Sequence, residues 1–553
     1  MTAHSSQTVA QFIVQCLENE GVQYVFGIPG EENIHLVDAF RDSSIRFILV
    51  RHEQGASFMA DIYGRLTMRA GVCLATLGPG AINLLLGTAD ANSDSVPLVA
   101  ISAQVGINRG YKESHQRIDL VNMFRPVTKW AELVQSAEAI PEMVRSAFKQ
   151  AQTERQGATY LGIPEDIESQ AMPKGFAPLL PNTVYDSYPS SSQIQRAVAV
   201  LRNSKRPIIL AGHGATRNQA QAALIQFSEQ LDIPVATTFM GKGVFPDNHP
   251  NSLGTMGFMR HDYANFGFDH ADTVICVGYD LQEFSPAQIN PKKDKNILHI
   301  HRYPASVDAH YAVTVGIEGN IAETLAELAR EANATYEHHA TSMKIRQLLH
   351  EEREKGKNDS SYPVKPQRLV ADTRAALGDG DIVLADTGAI KMWMARLYPT
   401  YQPNTCLISN GLATMAFSLP GAIAAKLAYP EKKILAVMGD GGFLMNSQEI
   451  ETAIREKAHF VVLVWVDNAY GLIKWKMDLG LGRDSYIAFN NPDFVKYAES
   501  FGAKGYFIER TEDLLPTLQK ALADETVSII ACPVDASEND ALTDKLGKLT
   551  LSL

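Results

Sequence analysis

Short, continuous apolar runs recur along this chain, and between them apolar residues return every three or four positions. In the first part the runs fall at 24–27, 47–50, 72–76 and 98–102, with helical spacing at 9–20 and 54–67. A strand covered on both faces reads as an unbroken apolar run, so this alternation predicts parallel strands joined by helices. A second series holds runs at 207–212, 273–278 and 297–300, and a third at 381–385, 434–438, 461–466 and 529–533. Between the series lie a polar, proline-bearing stretch at 173–192, which reads as a linker, and a charged one at 350–361, which reads as a solvated helix face and linker rather than a binding site. The pattern therefore predicts an α/β protein of three consecutive α/β domains with parallel sheets, at 1–180, 190–345 and 362–553.

Size agrees, since 553 residues exceed one hydrophobic core and suit about three domains of ordinary size. With 45% hydrophobic and 20% charged residues, the composition is that of a globular protein. A net charge of −12 with no dense Lys/Arg run argues against nucleic acid as a partner. The five cysteines are odd in number, far apart and mostly set in apolar sequence, which predicts buried thiols in a reducing cytoplasm rather than disulfides or a zinc site. Residues 1–10 lack the basic start and apolar core of a secretory signal, and no window has the apolar length of a membrane span. The expectation is a soluble cytoplasmic enzyme.

The chemistry gathers where strands stop. The run 434–438 ends in Gly439-Asp440-Gly441-Gly442, and 461–466 ends in Asp467-Asn468-Ala469-Tyr470-Gly471. Between them Ile450, Ala453 and Ile454 have helical spacing, which carries the chain back to lay the second strand parallel to the first. Sheets of this kind bind ligands beyond the carboxyl ends of their strands. Asp440 and Asp467 offer hard oxygens to one Mg²⁺, and Gly441 and Gly442 let backbone N–H groups approach phosphates. In the first series Glu53 follows the strand ending at Val50 and opens a helix. From local sequence alone it is either a first-turn acid favoured by the helix dipole or a working carboxyl.

Gly-Asp-Gly, a spacer and the Asp467-Asn468 pair together resemble the signature of the thiamine diphosphate (ThDP) enzymes. That resemblance covers nearly the whole chain and implies a pyrimidine-binding, a middle and a diphosphate-binding domain in succession. It implies metal ligation by the side chains of Asp440 and Asp467 and the carbonyl of Ala469, with Asn468 the substitute if the register slips by one. Glu53 would hydrogen-bond the cofactor's aminopyrimidine and stabilise the imino tautomer whose nitrogen removes the thiazolium C2 proton. The expected cofactor contacts are Pro29, Gly30, Thr76, Gly78, Asn83, Thr387, Gly388, Asn410, Gly411, Ala413 and Met415, with Gly439, Gly441, Gly442, Asn468, Ala469, Tyr470 and Gly471 around the metal. Met415 would support a bent cofactor, and in this family the two halves of a site come from different subunits. A homodimer is the implied minimum, often extended to a homotetramer.

Further segments are similar to the acetolactate synthase branch: 27–32, 76–80, 112–116, 124–130 and Ile408-Ser409-Asn410-Gly411-Leu412-Ala413-Thr414-Met415. His115-Gln116 stands where simple 2-oxo acid decarboxylases carry His-His. A neutral amide cannot protonate the carbanion left after CO₂ departs, which favours attack on a second carbonyl; the other reading of Gln116 is a local hydrogen-bonding residue. The resemblance thus implies pyruvate as donor and acceptor, with 2-acetolactate and CO₂ as products. A non-oxidative 2-oxo acid decarboxylase and a non-catalytic ThDP-binding regulatory paralogue are the alternatives. Flavin-type motifs of the middle domain are altered at Phe258-Met259-Arg260, at Tyr279 to Phe284 and at His301-Arg302-Tyr303-Pro304, so FAD is expected to be absent. Lys476 replaces a Gln expected in the acceptor pocket and reads either as a carboxylate partner or as a solvated helix residue.

Overall fold

A computed structural model describes residues 7–182, 187–257, 262–336, 340–540 and 542. It contains three six-stranded sheets, parallel throughout among the described residues, with helices between the strands. The flavin-type segment Phe258-Met259-Arg260 lies outside the described residues.

The first sheet runs, in spatial order, Arg46–Leu49, Tyr24–Gly27, Gly71–Ala75, Leu98–Gln104, Ala158–Pro164 and Trp130–Leu133. The third sheet runs Cys406–Ile408, Ile382–Ala385, Ile434–Gly439, Val461–Val466, Ser528–Pro533 and Lys504–Phe507. Counted from its own first strand, each has the order 2-1-3-4-6-5, so the two sheets share one topology. In both, the connections leave in opposite directions from strands 1 and 3, and such a switch point opens a crevice beyond the strand ends. The middle sheet runs Val313–Glu318, Asn296–His301, Thr273–Val277, Pro207–Ala211, Val235–Thr237 and Ser252–Thr255, which is the 3-2-1-4-5-6 order of dinucleotide-binding folds.

Central strands are apolar throughout because helices cover both faces. Val461–Val466 buries its first five residues, and Gly71–Ala75 buries all five. The middle sheet has one core around Ile209, Ile275 and Leu298 and another around Leu210, Val274 and Cys276, alternate residues of the same strands.

The described chain divides into two units: Met1–Val184 with Leu419–Pro430 and Asn446–Ala458, and Tyr185–Ser418 with Glu431–Met445 and His459–Leu553. Two pieces of the third sequence series therefore pack in the first unit. Leu419, Ala422 and Ile423 of the first piece are fully buried, and the Tyr429 hydroxyl donates to the Leu66 carbonyl at 3.0 Å.

The charged stretch at 350–361, which reads as a solvated helix face and linker, lies largely in the helix Ala340–Lys357. Its charges hold the second unit together: Glu352 pairs with buried Arg396 at 2.5 Å, and Arg353 Nε donates to the Leu397 carbonyl at 3.2 Å. Among the described residues no helix is long and apolar enough to cross a membrane. All five cysteines are buried, and none forms a disulfide among the described residues.

Candidate cofactor site

In the second unit, the crevice between strands Ile382–Ala385 and Ile434–Gly439 opens into a cavity of about 220 Å³. Its walls include Thr387, Gly388, Ala413, Met415, Gly439, Asp440, Gly441, Gly442, Asp467, Ala469, Tyr470 and Gly471, twelve of the residues expected from sequence. Adjacent parallel strands deliver the two acids: Gly439 pairs with Trp465, so Asp440 and Asp467 leave neighbouring strand ends. Asp440 then opens the helix Asp440–Asn446 instead of a free turn. Its Oδ1 accepts from the Gly441 N–H at 2.8 Å, and its Oδ2 from the Asn468 N–H at 2.7 Å and Asn491 Nδ2 at 2.8 Å.

Burial, and next the charge of Asp440, push the Asp467 carboxyl up to about 7. Two acids crowded at one spot favour a cation beside them. The donor set, two carboxylates with nearby backbone, suits Mg²⁺, which takes few protein oxygens and leaves the rest to water and phosphates.

Close approach explains two of the glycines. A Cβ on Gly471 would lie 2.3 Å from Asp467 Oδ2, and one on Gly442 would lie 2.4 Å from Asp386 Oδ2. Asp386 is fully buried, and burial pushes its carboxyl up to about 7. It accepts from the Ala416 N–H at 2.9 Å and so holds the loop that presents Met415. Ala413 and Ala416 on that loop adopt φ of +56° and +69°, left-handed values that need such tethering.

Three expected contacts fall outside the cavity wall. Asn410 donates its amide to the Glu283 carbonyl at 2.6 Å, with Gly411 next to it on the same loop. Asn468, at φ +56°, turns its side-chain oxygen to Asn491 Nδ2 at 2.9 Å, leaving Asp467 as the carboxylate that faces the cavity. Lys476 is exposed, its ammonium 4.7 Å from the ring of Trp475. Sequence reading missed Asp386 and Asn491; the Asn490-Asn491-Pro492 turn residues were the only local signal for the latter.

The first unit holds a second cluster at the equivalent switch point. Glu53 opens the helix Glu53–Thr67, and its Oε2 accepts from Asn83 Nδ2 at 3.0 Å. Thr76 and Gly30 approach closely across the crevice, the Thr76 hydroxyl donating to Glu32 Oε2 at 2.7 Å and a Cβ on Gly30 meeting Thr76 Cβ at 2.3 Å. Pro29 is exposed beside Gly30. Gly78, at φ +57°, faces the backbone of Gln116, itself at φ +54°. The side chains of His115 and Gln116 are exposed.

The middle sheet's switch point is filled by the protein itself. Glu283 accepts from the His213 N–H at 3.1 Å and from the Thr238 hydroxyl, while Asp280 takes Arg217 at 3.4 Å and the Tyr303 hydroxyl. These groups are buried, and a Cβ on Gly212 or Gly214 would meet Glu283 Oε1 or His301 Nε2 at 2.5 Å. Burial, then the charge of Asp280, push Glu283 up to about 7.

Family comparison agrees with this geometry. Residues 7–123 match the N-terminal TPP-binding domain of thiamine pyrophosphate enzymes, 194–328 their central domain and 386–532 their C-terminal TPP-binding domain. The chain belongs to the thiamine pyrophosphate enzyme family. Within that family it is 34% identical to an acetolactate synthase of Bacillus subtilis (strain 168), over 98% of this chain and 95% of the relative. It is 35% identical to a catabolic acetolactate synthase of Raoultella terrigena over 98% and 97%. An acetolactate synthase large subunit of Haemophilus influenzae is 32% identical over 96% and 95%.

Proposed function

We propose that this chain is an acetolactate synthase, a transferase that decarboxylates one pyruvate and joins the remaining two-carbon unit to a second, giving 2-acetolactate and CO₂. The observation that carries the reading is the Asp440–Asp467 pair at adjacent strand ends on a cavity, in a chain whose full-length relatives bear that activity in their names. Bound ThDP would supply a nucleophilic thiazolium carbon and a sink for the electrons of the broken C–COO⁻ bond.

The protein's part is to bind and orient. Asp440, Asp467 and the Ala469 carbonyl hold Mg²⁺, and the Gly439–Gly442 and Ala469–Gly471 backbones, with Thr387 and Gly388, receive the diphosphate. Ala413 and Met415 shape the pyrimidine end. Glu53, fixed by Asn83, exchanges a hydrogen bond with the aminopyrimidine, with Pro29, Gly30, Thr76 and Gly78 around it. His115 and Gln116 attend the reacting groups. The domain boundaries we adopt are 1–180, 190–345 and 362–553.

FAD has no part in this proposal, because the crevice that would take a dinucleotide is packed with Glu283, Asp280, Arg217 and His213. A homodimer at minimum, and a homotetramer by the family's habit, is supported by apolar side chains left exposed on the helix Gly471–Leu481, Ile473 at 47% and Leu481 at 70%. Five buried thiols support a reducing, cytoplasmic setting.

The stoichiometry of purified protein given pyruvate, ThDP and Mg²⁺ without FAD tests the proposal. One CO₂ per two pyruvates consumed is expected. One CO₂ per pyruvate, with acetaldehyde, assigns the chain to the decarboxylases.

A further inference from the structure

Glu449 is fully buried, nine residues after Asp440 in sequence, in the piece of chain that packs into the first unit. Its Oε1 accepts from the Arg51 N–H at 3.1 Å and the His52 N–H at 3.0 Å, and its Oε2 from the Thr452 hydroxyl at 2.6 Å. Those two amides form the turn immediately before Glu53. Neighbouring side chains reinforce the grip: Arg455 donates to the Leu49 carbonyl, and Arg46 pairs with Glu456 at 2.9 Å. Gly55 leaves room for the carboxyl, since a Cβ there would lie 2.8 Å from Glu449 Oε1, 2.9 Å from Cδ and 3.1 Å from Cγ.

A buried carboxyl with no ion pair among the described residues is costly to leave unpartnered, and two hydrogen bonds from backbone N–H groups are what this one obtains. They fix the turn that sets where the helix Glu53–Thr67 begins. We infer that Glu449 is a positioning residue for Glu53: by holding the Arg51 and His52 amides it sets the register at which the Glu53 carboxyl meets the aminopyrimidine. The inference rests on the role proposed above for Glu53. Proton transfer falls steeply with misplacement, a displacement near 1 Å costing on the order of 100-fold.

The readout is exchange of the thiazolium C2 proton of bound ThDP for deuterium, followed by NMR at saturating ThDP and Mg²⁺, with ThDP affinity measured separately by calorimetry. Glu449→Ala is expected to slow exchange by about 100-fold while ThDP affinity changes by less than about threefold; Glu449→Gln, which keeps an acceptor in place, recovers exchange to within about tenfold of the parent. Gly55→Ala, which crowds the carboxyl while Glu449 stays, is expected to slow exchange by at least about tenfold, and the double variant to be no slower than Glu449→Ala, because both act through one contact.

Should Glu449→Ala not fold, Gly55→Ala and Glu449→Gln carry the test. Parental exchange rates in Glu449→Ala, or in Gly55→Ala where the alanine variant does not fold, overturn the inference, as do fully additive losses. Glu53→Gln is the control that separates the two readings: parental exchange there removes the role of Glu53 itself, whereas slow exchange there beside normal exchange in the Glu449 variants removes only the positioning.

Discussion

Replacing Gly471 by alanine adds one methyl group at the start of the helix Gly471–Leu481, and the structure predicts opposite effects on folding and on metal binding. The new Cβ would lie 2.3 Å from Asp467 Oδ2, whereas real Cβ contacts stay beyond 3.0 Å, so the carboxylate oxygen must withdraw by at least 0.7 Å (3.0 − 2.3). Mg²⁺ demands near-ideal octahedral geometry at about 2.0–2.1 Å and does not follow a ligand displaced that far. Disturbing a residue that merely orients a ligand costs about 10–100-fold in metal affinity. With Asp467 as the ligand proposed above, moving it sets the expectation at about 100-fold or more, equivalent to about 2.7 kcal/mol. Alanine in a helix is favoured over glycine by up to about 1 kcal/mol, so the metal-free variant should unfold at the same temperature as the parent or slightly higher. Calorimetric titration of Mg²⁺ with ThDP present, beside thermal unfolding of the metal-free protein, measures both. An Mg²⁺ affinity within about threefold of the parent would refute the reasoning, because the Asp467 oxygen would then not be a ligand.

Further expectations concern pH and the core. Burial raises the carboxyls of Glu168 to about 8 and of Glu283, Asp386 and Glu449 to about 7, from ordinary values of 4.5 for Glu and 3.8 for Asp. The folded state then holds more protons than the unfolded chain across this window, so unfolding free energy falls as pH rises from about 5 to about 8. His299, held below its ordinary value by burial, opposes this only at the acid end and is a single group. Urea midpoints of the metal- and cofactor-free protein should be higher at pH 5.5 than at pH 8; the reverse order would contradict the assignment. Leu463→Ala, in the centre of the third sheet and fully buried, should cost about 2–5 kcal/mol in urea unfolding, and a loss under about 1 kcal/mol would show that this strand is not central to the core.

Strands covered on both faces were legible because burial demands an unbroken apolar run: 461–466 read from sequence coincides with Val461–Val466. Of the edge strands, Arg46–Leu49 was read, at 47–50, but others were not. Lys504–Phe507 is exposed or half-buried throughout and Val313–Glu318 mixes exposed and buried positions, and a four- to six-residue run of that kind carries no decisive period. Gly441 and Gly442 read from sequence only as a close approach for phosphates; the structure sets them in the helix Asp440–Asn446, although glycine disfavours helix.

Asp440, Asp467, Gly441 and Gly442 were found because glycines and acids at strand ends are a local signal, and the other cavity residues because the chain resembles the ThDP enzymes. Asp386 and Glu449 were not, because a buried carboxyl announces itself only through the amides it meets, and those lie 30 and almost 400 positions away in sequence. The charged stretch at 350–361 read correctly as a helix face, but the partners of Glu352 and Arg353, which are Arg396 and the Leu397 carbonyl, are ones that sequence does not display.

The account stands most directly on the fate of pyruvate labelled with ¹³C at C2, incubated with the protein, ThDP and Mg²⁺ and no FAD. Carboligation of two pyruvates places the two labelled carbons side by side, so 2-acetolactate with a one-bond carbon–carbon coupling is the predicted product. Acetaldehyde labelled at its carbonyl carbon, without that coupled pair, would contradict it.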